Sequence, residues 1–215
     1  MYKHLDTLLA KAKKKLRTEF NRLGLLGFDE LNVTNTKNVT KAMFDRLLSD
    51  NEKMYQTAAK KAYSNAKLKA KDAGYREEEE KELDDEWLDG VLLGYNFVTG
   101  YVYGRETERK RLRLNEHILT AKEYDSREMF NDGLRRTANL LWTQTSQYGI
   151  SVVDAATLQA YEDVGVKKVR WKSKIDGREC KVCRERHNKI YKISEVPEKT
   201  HYGCRCEWEP VKTEE

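Results

Sequence analysis

The sequence predicts a mainly α fold, long helices followed by a small C-terminal α+β module. Three observations carry that prediction. The two prolines, Pro197 and Pro210, both lie in the last twenty residues, so nothing upstream blocks a helix. Apolar residues recur at steps of three or four through most of the chain before Gly165, with Ala, Lys and Glu filling the gaps. All four cysteines fall between Cys180 and Cys206, a region with few large apolar residues: Val182, Ile190, Tyr191, Ile193 and Val196.

The first helix is expected from about His4 to Leu23, with Leu5, Leu8, Leu9, Ala12, Leu16 and Leu23 at helical spacing and lysines between them. Gly24 and Gly27 end it. Such a basic amphipathic helix suits a nucleic acid, a membrane surface, an acidic partner or the body of its own protein. Asn32 to Asn38 reads as a loop. A long helix follows from about Thr40 to Ala73, striped by Met43, Phe44, Leu47, Met54, Tyr55, Ala58, Ala62 and Ala66 and stopped by Gly74. Glu77 to Glu80 suit the positive end of a third helix, striped by Leu83, Trp87, Val91, Tyr95, Val98 and Val102. The apolar run from Val91 to Tyr103 is too short to span a bilayer, contains Asn96, and is bounded by Asp89 and Arg105, so no membrane segment is expected.

Arg105 to Arg113 returns the chain to the surface. Ser126 is the N-cap of the next helix, with Phe130, Leu134, Ala138, Leu141, Thr145 and Tyr148 along one face and a break at Gly149. A further helix runs from about Ser151 to Asp163 and is capped by Gly165. Val166 to Lys172 alternates and reads as a strand, Asp176-Gly177 as a turn, and Lys189 to Ile193 as a second strand. The residues from Val211 read as a disordered tail.

Cys180/Cys183 and Cys204/Cys206 form two close pairs, with His201 ahead of the second. C-x2-C followed by H-x2-C-x-C has the form of a metal knuckle and its answering ligands. Two thiolates on one tight turn and two from a distant turn complete a tetrahedron around zinc. Five candidates exceed the four a structural site takes, and spacing alone does not say which of His201, Cys204 and Cys206 is left out. Metal ligation would also supply folding energy to a segment with a thin core. The competing readings are a redox-dependent disulfide pair and free thiols. Residues 1–15 lack the apolar core of a secretory leader, so a reducing compartment is expected, where stable disulfides are uncommon.

Charge is unevenly spread. Residues 1–17 carry six Lys/Arg against one Asp, residues 77–89 nine Asp/Glu against one Lys, and residues 167–192 eleven Lys/Arg against three acids. The third run suits phosphate contact without sequence reading, through Lys167, Lys168, Arg170, Lys172, Lys174, Arg178, Lys181, Arg184 and Arg186. No Walker A loop, G-x-S-x-G or H-E-x-x-H occurs. His187-Asn188 beside the knuckle raises a zinc-dependent nuclease, which needs ligands around a second metal that the neighbourhood lacks. A non-enzymatic protein is expected.

Trp171, the Cys180/Cys183 pair, the hairpin with Ile190 and Tyr191, then Pro197 and the H-x2-C-R-C ending over His201–Cys206 resemble the signature of the MuF-like phage head morphogenesis (minor head protein) family. That family's ending typically reads H-P-x-C-R-C; Tyr202 stands in place of the proline. Upstream, Trp142-Thr143-Gln144-Thr145 stands where the family has an R-T-E-type motif, with Trp142 and Gln144 replacing the arginine and glutamate. Gly165-Val166 matches the step that leads to the tryptophan. The resemblance covers roughly Ser126 to Pro210.

It implies an N-terminal helical region (1–125), a head morphogenesis domain (126–210) with its Cys/His knuckle at 171–210, and a tail (211–215). It further implies a low-copy structural component inside the capsid, at or near the portal. Its partners would be the portal protein, the major capsid or scaffold protein and the packaged DNA, and assembly would occur in the host cytoplasm. The alternative function is a cellular zinc-knuckle nucleic-acid-binding protein. Tyr191 and Tyr202 are the only phenols near the knuckle, fewer than a base-stacking binder wants.

Overall fold

The computed structural model describes residues 2–26, 28–76, 81–90, 103–177, 179–199, 203–204 and 206–212, with the backbone alone for 103–106. Among the described residues four long helices come first: α1 (Lys3–Leu25), α2 (Val33–Asp72), α3 (Tyr103–Glu123) and α4 (Arg127–Asp163). Then follow β1 (Lys168–Lys172), the short α5 (Lys181–Arg186), β2 (Ile190–Lys192), a 3-10 turn at Ile193–Glu195 and β3 (Glu207–Pro210). This is the mainly α architecture with a small C-terminal α+β module. Among the described residues no helix is long and apolar enough to cross a membrane. The expected stripe from Val91 to Val102 lies outside the described residues.

By its internal contacts the chain divides into two compact units, residues 7–54 with 89–148, and residues 1–6 with 55–88 and 149–215. The first is a helical core. Leu16, Phe20 and Leu23 of α1, Met43, Phe44 and Leu47 of α2, Leu114, Ile118 and Ala121 of α3, and Phe130, Leu134 and Leu141 of α4 are buried together. The α1 stripe is therefore spent on the protein's own core. Phe28 meets Phe130 edge-on at 5.6 Å, and Lys122 Nζ donates to the Phe28 carbonyl at 2.7 Å, which pins the α1–α2 connection.

Several expected boundaries are corrected here. Asn32 to Asn38 is not a loop. The Asn32 side chain accepts from the backbone N–H groups of Thr34 and Asn35, each at 3.0 Å, so the cap lies at Asn32 and α2 begins at Val33. No helix is expected from sequence over Arg105–Arg113, yet α3 runs through it. Leu114, Ile118 and Ala121 supply its buried face at steps of four and three, amid many charges. Gly149 does not break α4, because Tyr148, Val152 and Val153 around it are all buried. Packing outweighs a glycine cost of about 1 kcal/mol. The acidic helix starts later than expected: residues 81–84 are not helical, 85–90 are, and Asp84 Oδ1 accepts from Glu86 N at 2.8 Å. Glu77–Glu80 lie outside the described residues.

Other expected boundaries are met. Ser126 Oγ accepts from Met129 N at 3.2 Å, as an N-cap does. Gly74 and Gly165 sit at φ +93° and +78°. At Gly165 the N–H bonds the Glu162 carbonyl, and the next N–H, of Val166, reaches back to the Tyr161 carbonyl. This is the left-handed cap that glycine permits.

The second unit packs an alanine seam. Ala58, Ala59, Ala62, Ala66 and Ala70 of α2 and Ala156 and Ala160 of α4 are buried, so the alanine-rich faces are covered within the chain. Tyr63 donates to Asp163 at 2.6 Å, and Tyr161 to the Trp208 carbonyl at 3.0 Å. The sheet is antiparallel in the order β2-β1-β3, with Val169 opposite Tyr191 and Pro210, and Trp171 opposite Trp208. Val169, Trp171 and Trp208 are buried, and the two indoles cross edge-to-face at 4.6 Å. Val211 is held as well: its N–H donates to the Lys168 carbonyl and its carbonyl accepts from Tyr75. Residues 213–215 lie outside the described residues.

Candidate metal centre

The local chain path brings the sulfurs in. Gly177, at φ +79°, turns the chain out of β1 towards α5. Cys180 is the N-cap of α5, in extended backbone, and its Sγ accepts from Cys183 N at 3.4 Å. A cap of this kind, with the second cysteine one helical turn on, directs Cys183 inward. On the other side Gly203, at φ +70°, makes a turn that Cβ-bearing residues resist, and Cys204 and Cys206 follow it into β3. Cys183, Cys204 and Cys206 are 2 %, 2 % and 4 % exposed.

Their three sulfurs lie within 4.8 Å of one another, and Cys183 Sγ is 3.6 Å from Cys204 Sγ. Metal–sulfur bonds of ~2.3 Å in a tetrahedron space the sulfurs about 3.8 Å apart. A disulfide would bring two of them to about 2.05 Å, and all four cysteines are free thiols. Three buried thiols are thus positioned to bind a metal ion. Cys180 stands at the edge of this group, half-buried, and His201 lies outside the described residues.

A hydrogen-bonded shell surrounds the thiols. Ser173 Oγ accepts from Trp171 Nε1 at 3.0 Å, donates to the Cys183 carbonyl, and lies 3.5 Å from Cys206 Sγ. Arg186 stacks its guanidinium 5.0 Å over the Trp171 ring, closing the far side of that indole. Hydrogen bonding with the neighbouring Cys204 thiol, and with Ser173 and Cys183, pulls the Cys206 thiol down to about 5 against its burial. Burial pushes the Cys183 thiol up to about 12, and the hydrogen bond to Cys206 pushes Cys204 up as well. The three titrate as a set: the first proton leaves readily, the others are held. A metal ion would replace those protons and relieve the crowding of sulfurs.

Next to this set lies a buried polar cluster with no signature in the sequence. Lys199 Nζ is paired with Asp154 at 2.8 Å, their side chains 9 % and 16 % exposed. The Tyr2 hydroxyl donates to Asp154 Oδ1 and lies 3.2 Å from the Cys206 carbonyl oxygen. Burial, and then the Asp154 charge, hold the Tyr2 phenol well above its ordinary value.

The basic candidates are split by the structure. Lys168, Arg170 and Lys172 share one face of β1. Lys192 faces Lys168, Ile190 and Glu209 face Arg170, and Glu207 faces Lys172. Lys172 Nζ lies 3.9 Å from Glu209 and 3.3 Å from Asn188 Oδ1. Arg184 pairs with Glu179 at 2.9 Å, Lys181 stands 3.9 Å from Glu185, and Arg186 donates to the Glu198 carbonyl. Lys167, Lys168 and Lys174 are exposed and form no ion pair among the described residues. Arg178 lies outside them. His187, read from sequence as a nuclease candidate, accepts the Ser173 N–H on Nδ1 at 3.1 Å, and Asn188 occupies a turn at φ +64°. Both hold the β1–β2 loop.

Comparison with known families places a match on this same region: residues 107–209 fit the family model described as Phage Mu protein F like protein. The match begins in α3, ahead of Ser126, ends in β3, and spans slightly under half of the chain. Neither the curated proteins nor the solved structures contain a match to it.

Proposed function

We propose that this protein acts in phage head morphogenesis, as a low-copy minor head protein inside the capsid at or near the portal, serving head assembly and DNA packaging or delivery. One observation carries the reading. The Phage Mu protein F like match over residues 107–209 contains the three converging thiols and the β1–β3 scaffold that presents them. The thiol group is read as a structural zinc site. Thiolate donors favour zinc among the abundant divalent ions, and burial closes the site against substrate. Zinc bound there would tie α5 to the turn before β3, and so hold a small module that carries exposed lysines.

Those lysines support non-specific contact with packaged DNA. Charge on a rigid tip neutralises phosphates without reading bases. The test is the composition of assembled heads. Quantitative mass spectrometry of purified heads is expected to find this chain at a few copies per particle, co-purifying with the portal protein. Finding it only in soluble fractions with cellular nucleic acid would overturn the assignment and favour a cellular zinc-knuckle factor.

A further inference from the structure

Asp154 sits on α4 and receives two side chains from remote parts of the chain. Lys199 reaches its two oxygens at 2.9 and 2.8 Å, and Tyr2 donates to Oδ1. Lysine and aspartate are almost never buried except as partners, and taking such a pair out of water is costly. The contacts fall on either side of Cys204 in sequence. Lys199 precedes Cys204 and Cys206 in sequence, and the Tyr2 hydroxyl lies 3.2 Å from the carbonyl oxygen of Cys206. Lys199 is therefore fastened to α4 directly, and the hydroxyl that Tyr2 holds against α4 lies beside the backbone of Cys206. Lys199 also donates to the Tyr2 hydroxyl and stands 4.5 Å over its ring, so the three side chains form one unit.

We propose that Tyr2, Asp154 and Lys199 are the outer sphere of the thiol centre, positioning Cys204 and Cys206 for the metal and coupling the seating of residues 2–6 to metal occupancy. The inference rests on the metal reading given above. Residues that orient ligands from behind set how much of the binding energy is lost to ordering them. Two equilibria that share Cys206 are reciprocally linked. A metal that fixes Cys206 favours docked Tyr2, and docked Tyr2 favours the metal by the same factor. Leu5, buried on the same N-terminal segment, gives the docked state an apolar anchor.

Zinc affinity of the full-length chain, measured by competition with a chromophoric chelator, is the first test. Tyr2→Phe keeps the ring and removes the hydroxyl, and it is expected to weaken zinc binding by roughly 10-fold or more, with far-UV circular dichroism unchanged. Lys199→Met is expected to weaken it comparably, and Lys199→Arg to retain most of it. The second test needs no variant: amide exchange at residues 3–6 is expected to accelerate when zinc is stripped from the unaltered protein. Parental zinc affinity in folded Tyr2→Phe, or identical exchange at residues 3–6 with and without zinc, overturns the coupling and leaves the metal reading standing. A parent chain that binds no zinc overturns both.

Discussion

Cys183 Sγ lies 3.6 Å from Cys204 Sγ across a separation of 21 residues. Two thiols this close in a buried setting repel as thiolates and gain little as thiols. An ion of charge two resolves the conflict. Cys183→Ser and Cys204→Ser are each expected to lower bound zinc from about one equivalent per chain to a small fraction of that. Elemental mass spectrometry on protein purified without chelator reads it. Long helices should persist in both variants, because none of α1 to α4 carries a thiol; equal zinc in variant and parent would refute the site.

Ser173 is the hub of the hydrogen bonds behind those thiols. Ser173→Ala leaves the Trp171 indole N–H and the Cys183 carbonyl without their present partner. Burying such groups unpaired costs about 1–3 kcal/mol, which calorimetric unfolding of the metal-loaded protein would resolve. Trp171→Ala should cost more, about 3–5 kcal/mol, because it also empties the space beside Trp208. Equal stability of Ser173→Ala and the parent would mean that water replaces the hydroxyl without loss.

A second polar point is buried in the helical core, where Thr40 Oγ1 and Asn115 Oδ1 are 2.7 Å apart and the Asn115 amide nitrogen has no partner among the described residues. Thr40→Val alone is expected to destabilise by about 1–3 kcal/mol, since it strands a second polar atom of Asn115. Thr40→Val with Asn115→Leu should recover most of that loss, because two apolar groups of similar shape leave nothing unpaired. Urea unfolding midpoints of the two variants decide it. A double variant less stable than the single one would show that the Thr–Asn bond itself carries the stability.

What could be read from the sequence follows from the range of the forces involved. Apolar period and local caps act within a few residues. Ser126, Gly74 and Gly165 therefore announced helix ends that the structure keeps, and the alternation from Val166 to Lys172 announced the strand it keeps at Lys168–Lys172. The C-x2-C and C-x-C pairs pointed to converging thiols because their spacing is itself a constraint on turns, and the structure brings Cys183, Cys204 and Cys206 together. Gly149 misled because its neighbours Tyr148, Val152 and Val153 are buried, a fact of packing invisible in a helix propensity. Asn32 to Asn38 misled because β-branched threonines and asparagines look like a loop until one asparagine is seen to cap. Tyr2, Asp154 and Lys199 lie 152 and 45 residues apart in sequence, and nothing local marks them as partners.

The pairing of the basic residues gives the last prediction its sign. Lys172, Arg184 and Arg186 already have acceptors within the module, so their charges are largely answered before any phosphate arrives. Lys167, Lys168 and Lys174 are exposed without an ion pair among the described residues, whereas Lys192, directly opposite Lys168, is paired with Glu195 at 3.0 Å. Reversing Lys167, Lys168 and Lys174 to Glu should therefore weaken binding to random duplex DNA and flatten its salt dependence. Each lost phosphate contact lowers the slope of log affinity against log salt by about 0.9. Neutralising Lys172, Arg184 and Arg186 should change that slope less and stability more, because it removes their contacts to Asn188, Glu179 and the Trp171 ring. Fluorescence anisotropy across a salt series separates the two sets. A steeper loss of slope from the paired set than from the exposed one would place the phosphate contacts at residues whose internal partners exchange for DNA.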